Sequence, residues 1–160
     1  MDIIIVKYLH ILASTFLFGT GVGTAFYLFF ISLSRDVHAI AVVARHVVIA
    51  DWLFTATTIV FQPLSGLYLA HRLGIALSTP WLLWSIILYV VATACWLPVV
   101  WLQMRMRDIA VAADRDGRPL PPAYQRRFVV WVMLGIPALL AFLAIFYLMT
   151  AKWVAFDLIA

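Results

Sequence analysis

Four long apolar stretches, separated by short polar ones, account for most of this chain. They lie at about residues 3–33, 47–70, 81–102 and 128–151. A helix needs about 20 apolar residues to cross the hydrocarbon core of a bilayer, and each stretch is long enough to do so. The pattern therefore predicts an all-α fold, a four-helix transmembrane bundle that forms a single domain over residues 1–160.

The second apolar stretch differs from the others because polar side chains follow one face of its helix. At about 100° per residue, these side chains fall on one side of a helix counted from Asp51. No water satisfies a carboxylate or an amide in the bilayer core, so this face must turn toward other helices or a cavity. We therefore expect the other three helices to pack around this one. The positions of this polar stripe are Asp51, Thr55, Thr58, Gln62, Ser65, Gly66 and Leu69.

Two residues predict how the second helix begins and bends. Ser34 is suited to cap a helix that starts near Asp36 and continues into the second span. Pro63 lies in the middle of that span, where it should kink the helix and free the carbonyl of Ile59. Such a kink opens the polar stripe toward the outer half of the membrane.

The charges predict how the chain is oriented in the membrane. With 66% hydrophobic and 11% charged residues, the composition lies outside the range of soluble proteins, and a net charge of +4 requires no nucleic acid as partner. Eight of the 11 lysines and arginines fall on the first and third connections, which the positive-inside rule places in the cytoplasm. Both termini are then extracytoplasmic. The eight are Arg35, Arg45, Arg105, Arg107, Arg115, Arg118, Arg126 and Arg127, and the other three are Lys7, Arg72 and Lys152.

Two ionisable residues lie inside predicted spans. Inserting each of them into the bilayer costs a few kcal/mol, and another interaction must offset this cost. Asp51 is about one turn from the inner edge, which favours a salt bridge or a hydrogen bond to a neighbouring helix, with an arginine as its partner. His10 is deeper and has two interpretations. It is either a neutral imidazole hydrogen-bonded to Ser65 or Gln62, or an axial ligand of haem iron.

The haem interpretation makes His10 the metal ligand and haem b the cofactor. Small side chains continue the helical face of His10, which leaves room for a flat macrocycle between helices. The sixth ligand stays open between Met149, Lys152 and none, and no catalytic residue is assigned. The small positions are Ala13, Ser14, Gly21 and Thr24, and the predicted outer-half pocket comprises His10, Ser14, Gln62, Ser65, Tyr68, Met149 and Lys152.

Other functions remain compatible with the same residues. Gly19 and Gly23 have the spacing that lets helices approach closely, which favours packing inside the bundle over a dimer face. A non-enzymatic accessory or assembly subunit of a membrane complex is one alternative, and a small oligomeric transporter that uses the path from Asp51 to Gln62 is another. Nucleotide and structural zinc sites are not expected, because no glycine-rich phosphate loop or Cys/His cluster occurs in the sequence.

Several strings together resemble an uncharacterised family of predicted bacterial four-span membrane proteins, domain of unknown function 2269, over nearly the whole chain. The resemblance implies a multi-pass protein of the bacterial cytoplasmic (inner) membrane, in contact with the lipid bilayer and with a possible second copy or complex partner. The strings are KYLHILAS, GTGVGTAFYLFF, ADWLFTATTIVFQPLSGLYL, TPWLLWSIILY, WLPVVWLQMRMRD and LPPAYQRRF followed by LGIPALLAF.

A weaker resemblance links the layout to HemJ-type protoporphyrinogen oxidases and CopD-type membrane proteins. Lys7, Leu9 and His10 match a Lys-x-Leu-His pattern, and Lys152 matches a lysine that closes the fourth span. This similarity implies a haem b site that uses His10, with electron transfer or oxidoreductase activity. The chain has Leu83 where HemJ-like proteins have a histidine in the third span, so porphyrinogen oxidation is not implied.

Overall fold

The computed structural model describes residues 1–151. Over this range the chain forms four long helices and no strand. Each helix is long and apolar enough to cross a membrane. The prediction of an all-α fold with four membrane-spanning helices is therefore confirmed. The helices are α1 (Asp2–Ser34), α2 (Val37–Arg72), α3 (Pro80–Arg115) and α4 (Pro122–Ala151).

The turn between α1 and α2 consists of Arg35 and Asp36. Arg35 adopts a left-handed conformation with φ of 60°, which ends α1. The carboxylate of Asp36 accepts a hydrogen bond from the backbone N–H of Ala39 at 3.0 Å, so Asp36 is the N-cap of α2. The prediction of Ser34 as the cap was wrong, because Ser34 is still part of α1, although its hydroxyl oxygen accepts from the backbone N–H of Asp36 at 3.2 Å.

Helix α2 changes its winding where the polar stripe begins. Val37–Ala50 and Ala56–Arg72 are α-helical, and Asp51–Thr55 between them is a π-helical turn. The N–H of Ala56 donates to the carbonyl of Asp51, five residues earlier. The sequence pattern did not predict this turn. Its wider winding leaves both Asp51 and Thr55 buried on the side that faces the bundle.

Pro63 frees a backbone carbonyl of its own helix, as predicted. Proline lacks an N–H, so the carbonyl of Ile59 has no helical partner. The hydroxyl of Tyr89 on α3 donates to this carbonyl at 2.6 Å. The freed carbonyl thus becomes a hydrogen bond between α2 and α3, which the sequence alone did not assign.

The two ends of the bundle are packed differently. We call the end with the α1–α2 and α3–α4 connections the basic end, and the end with the α2–α3 turn the terminal end. Near the basic end, side chains from all four helices form one large buried cluster. Near the terminal end the buried cluster contains only Ala70, Trp81 and Leu82. The large cluster includes Leu28, Ile40, Ala44, Val47, Met106, Ala110, Tyr124 and Phe128.

Helix α2 changes its neighbours along its length. Val37–Ala50 packs mainly against α3, whereas Ala56–Arg72 packs mainly against α1. Helices α3 and α4 pack along each other and form the most extensive interface of the described chain. The prediction that the other three helices pack around α2 was therefore wrong for α4, which packs mainly on α3. Along the second half of α2 the bundle consists of two helix pairs, α1 with α2 and α3 with α4.

Candidate functional site

Three of the predicted site residues meet between α1 and α2. Nδ1 of His10 lies 2.7 Å from Oγ of Ser65, and Nε2 of His10 lies 3.2 Å from Nε2 of Gln62. Gln62 and Ser65 are three residues apart on α2, so both side chains lie on the face that packs against α1. The structure therefore contains the predicted hydrogen-bonded imidazole, with both candidate partners engaged. We call His10, Gln62 and Ser65 the imidazole triad.

The hydrogen-bond partners define the protonation of the imidazole in this arrangement. The hydroxyl of Ser65 donates to the carbonyl of Phe61 at 2.8 Å, so its oxygen is free to accept from Nδ1–H of His10. The amide nitrogen of Gln62 can only donate, so Nε2 of His10 accepts from it through its lone pair. The ring is thus a neutral imidazole whose proton is on Nδ1 and whose lone pair is on Nε2.

Gly66 permits the close approach of α2 to the imidazole. A Cβ at this position would lie 3.2 Å from Cε1 of His10, which is closer than an ordinary van der Waals contact. Ala13 and Leu17 continue the His10 face of α1 and are buried. Part of the predicted groove beside the imidazole is therefore filled by helix packing. The open part lies further along α1, where no described residue comes within 4 Å of a Cβ placed at Gly21.

Ser14 and Tyr68 make other contacts than those predicted for a pocket. The hydroxyl of Ser14 donates to the backbone carbonyl of Ile11 at 2.7 Å, within its own helix. The ring of Tyr68 lies beneath the guanidinium of Arg72, whose Cζ is 5.8 Å from the ring centroid. Neither side chain has a hydrogen bond to the imidazole triad in the described structure.

The two candidates for a sixth iron ligand have different outcomes. Met149 of α4 packs against the small cluster of Ala70, Trp81 and Leu82 at the terminal end. Lys152 lies outside the described residues. Within residues 1–151 no group of three or more His, Cys, Asp or Glu side chains could hold a metal ion. A metal bound by His10 would therefore need most of its ligands from a cofactor.

The amide of Gln62 is only partly satisfied. Its nitrogen donates to His10, but its buried Oε1 has no hydrogen-bond partner among the described residues. A buried acceptor without a partner costs about 1–3 kcal/mol. The Gln62 side chain is therefore held in place by a single hydrogen bond, and nothing in the described structure compensates its oxygen.

Asp51 forms a second buried polar group, nearer the basic end. Its side chain is 3% exposed, and the hydroxyl of Thr55 donates to Oδ1 at 3.3 Å. Gln103 of α3, itself 5% exposed, lies beside the carboxyl group across the helix interface. Asp51 Oδ2 and Gln103 Oε1 are both buried without a hydrogen-bond partner among the described residues.

The expectation of an arginine partner for Asp51 was wrong within the described residues, where none lies within salt-bridge distance. The candidate arginines have other contacts: Arg105 lies over the ring of Trp101, and Arg127 donates to the backbone of its own helix. The hydrogen bond that the described structure gives this carboxyl comes from Thr55 of the same helix rather than from a neighbouring one. The sequence pattern did not identify Gln103, because this residue comes directly after the third apolar stretch.

Comparison with known proteins identifies the family. The chain belongs to the family of predicted integral membrane proteins DUF2269, which matches residues 4–153 and so includes all four helices and the imidazole triad. No curated protein sequence and no solved structure matches the chain. The protein is therefore a predicted multi-pass integral membrane protein of a lipid bilayer, and neither the family nor a relative assigns it an activity.

Proposed function

We propose that this member of the DUF2269 family is a b-type haem protein of the bacterial cytoplasmic membrane. In this proposal His10 is the axial ligand of the haem iron, and the protein transfers electrons or oxidises a membrane-soluble substrate. The observation that supports this proposal is the orientation of the imidazole. A histidine that binds a metal through one nitrogen usually donates the other N–H to a fixed acceptor. Here Nδ1–H donates to Ser65, so Nε2, which accepts from the amide of Gln62 in this structure, is the nitrogen that would bind iron.

The residues around His10 fit this role on one condition. The amide nitrogen of Gln62 lies 3.2 Å from Nε2, where it competes with iron for the lone pair. Haem ligation therefore requires the Gln62 side chain to turn away. Among the described residues this amide makes one hydrogen bond and its buried oxygen makes none, so the movement breaks a single hydrogen bond.

Bound haem would supply a one-electron redox couple. The chain's own residues would fix the ligand. Ser65 would hold the imidazole in the Nδ1-protonated form, and the hydrogen bond that it accepts from Nδ1–H would make Nε2 a stronger electron-pair donor to iron. Gly66 allows α2 to lie close to the ring. The surrounding apolar helices exclude water, which influences the reduction potential of a bound haem. Met149, Lys152 or no protein group at all remain the proposed alternatives for the sixth position.

The optical spectrum of the purified protein tests the proposal. Protein expressed with an ample haem supply is expected to have a Soret band that shifts on reduction, and His10→Ala should lose it. His46→Ala and His71→Ala are matched controls, because both histidines are exposed and outside the triad. Gln62→Ala should keep or increase the haem content, because it removes the group that competes for Nε2.

A colourless wild-type preparation made with ample haem would overturn the proposal, and so would a His10→Ala protein with an undiminished Soret band. Heat unfolding of His10→Ala in the same detergent distinguishes loss of the cofactor from loss of the fold.

A second candidate function, a non-enzymatic accessory subunit or homo-oligomer, is favoured by the exposed side of α1. No described residue comes within 4 Å of a Cβ placed at Gly19 or Gly23, so their expected role in packing inside the bundle was wrong within residues 1–151. Small residues at this spacing allow another helix to approach. Gly23→Leu should abolish a complex observed by native mass spectrometry, whereas a Gly135→Leu control on α4 should not. An unchanged complex in Gly23→Leu would exclude this surface.

A further inference from the structure

A cleft of about 480 Å³ lies between α3 and α4 at the basic end, away from the imidazole triad. Its wall on α3 is one helical face, since its residues recur at intervals of three or four. Arg127 contributes from α4. The cleft is independent of the proposed haem site, because it shares no residue with it. Its lining residues are Trp101, Arg105, Asp108, Ile109, Ala112 and Arg127.

Two guanidinium groups give this cleft a positive charge. Arg105 lies over the ring of Trp101, with its Cζ 5.6 Å from the ring centroid. Arg127 donates from Nη1 to the backbone carbonyl of Ala123 at 3.0 Å, which fixes one end of its guanidinium. Among residues 1–151 neither arginine lies within 4.0 Å of a carboxylate oxygen. Their charges are therefore available to an anionic ligand.

The acidic residue of the cleft does not neutralise these charges. Asp108 accepts hydrogen bonds on Oδ1 from Nε and Nη2 of Arg107, at 3.0 and 2.8 Å. Arg107 is not a lining residue, so the ion pair of Asp108 is with an arginine outside the cleft rather than with Arg105 or Arg127. The net effect is a site with one compensated acid and two uncompensated guanidinium groups.

The depth of the cleft points to the chemical class of its ligand. Trp101 is 49% exposed and precedes Arg105 by one helical turn, an order typical of the interface between acyl chains and headgroups. A guanidinium can donate two parallel hydrogen bonds to a phosphate, and basic pockets between helices on the cytoplasmic side of a membrane bind anionic headgroups. The exposed ring of Trp101 offers an apolar surface to an acyl chain, which a free phosphate would not use.

We propose that this cleft binds the headgroup of an anionic phospholipid of the cytoplasmic leaflet, with its phosphate between Arg105 and Arg127 and an acyl chain along Trp101. The lipid would join the facing surfaces of α3 and α4 at the end of the bundle that carries most of the positive charge. Phosphatidylglycerol, the probe for the test, has the required anionic phosphodiester, and phosphatidylcholine is its zwitterionic counterpart.

Lipid binding to the purified full-length chain, measured by native mass spectrometry from detergent, tests this inference. The wild-type chain should prefer phosphatidylglycerol to phosphatidylcholine. The Arg105→Gln/Arg127→Gln double variant should bind phosphatidylglycerol roughly tenfold more weakly than the wild-type chain. Arg115→Gln/Arg118→Gln is the control with the same charge change, because neither arginine lines the cleft. An equal loss in both double variants would mean general charge attraction and would overturn the site.

Two further arms keep the inference falsifiable if the double variant folds poorly. Photoactivatable phosphatidylglycerol should label the α3 and α4 segments that line the cleft in the wild-type chain, and labelling elsewhere would overturn the proposal. Inorganic phosphate should not displace the lipid at equal concentration. If it does, the cleft is a site for a free anion rather than for a lipid.

Discussion

The imidazole of His10 has a hydrogen-bond partner at each ring nitrogen, whereas the buried carboxyl of Asp51 has one oxygen without a partner among residues 1–151. The two groups lie in opposite halves of the bundle, and these halves also differ in how their helices pack. Asp51 is in the half where all four helices contribute to a continuous core. His10 is in the half where α1 pairs with α2 and α3 pairs with α4.

This contrast indicates a division between scaffold and site. A continuous core fixes the helix positions near the basic end. These positions determine which hydrogen-bond partners a buried polar group there can reach. Near the terminal end few contacts join the two helix pairs, so a ligand can be admitted at a lower cost in lost packing. The proposed haem site lies in the half with the smaller core, and the proposed lipid cleft lies at the edge of the half with the larger one.

The largest expected effect compares one methionine in each half. Met106 is 0% exposed in the large cluster, whereas Met149 is only half-buried against the small one. Met106→Ala should lower the free energy of unfolding by about 2–5 kcal/mol, because it opens a cavity in a close-packed core. Met149→Ala should cost clearly less. Heat unfolding in one detergent measures both, and equal losses would contradict the division between the two halves.

The next effect concerns the carboxyl group of Asp51. Asp51→Leu leaves the buried hydroxyl of Thr55 without its carboxylate acceptor, and it should cost about 1–3 kcal/mol of unfolding free energy. Asp51→Asn should cost less, because its amide can donate to the unpartnered Oε1 of Gln103. Unfolding of the two variants in detergent provides the measurement. A greater loss in Asp51→Asn would mean that the negative charge itself stabilises the bundle.

Tyr89 tests the link between the two helix pairs. Tyr89→Phe leaves the Ile59 carbonyl without a donor and should cost about 1 kcal/mol. The same change in a Pro63→Ala background should cost less, since residue 63 then supplies an N–H to that carbonyl. The double-mutant cycle isolates this coupling. Equal costs in both backgrounds would show that the Tyr89 hydroxyl is not compensating for proline.

The smallest expected effect on stability is at Ser65. Ser65→Ala removes the acceptor of His10 Nδ1–H and should cost about 0.6 kcal/mol, the average for hydrogen bonds between membrane helices. If haem is bound, the same change should weaken its retention, whereas Ser14→Ala should leave it unchanged because Ser14 bonds only to its own helix. Haem retention on dilution measures this difference. Equal retention in the two variants would remove Ser65 from the ligand's support.

The sequence by itself determined the features that depend on one helix at a time. The four spans follow from the length of the apolar runs, and the polar stripe of α2 follows from helical periodicity, because both are local properties. The stripe also limited the partners of His10 to Gln62 and Ser65, and Pro63 identified the carbonyl of Ile59 as unsatisfied.

Only the tertiary structure decided which groups meet across helices. It placed Gln103 rather than an arginine beside Asp51, engaged both partners of His10 at once, and gave Ile59 a donor from α3. It also gave Ser14, Tyr68 and Met149 contacts other than those predicted with the triad. The physical reason is that periodicity fixes the face on which a side chain lies. The register and neighbours of that face depend on the packing of the whole bundle, to which the unpredicted π-helical turn contributes.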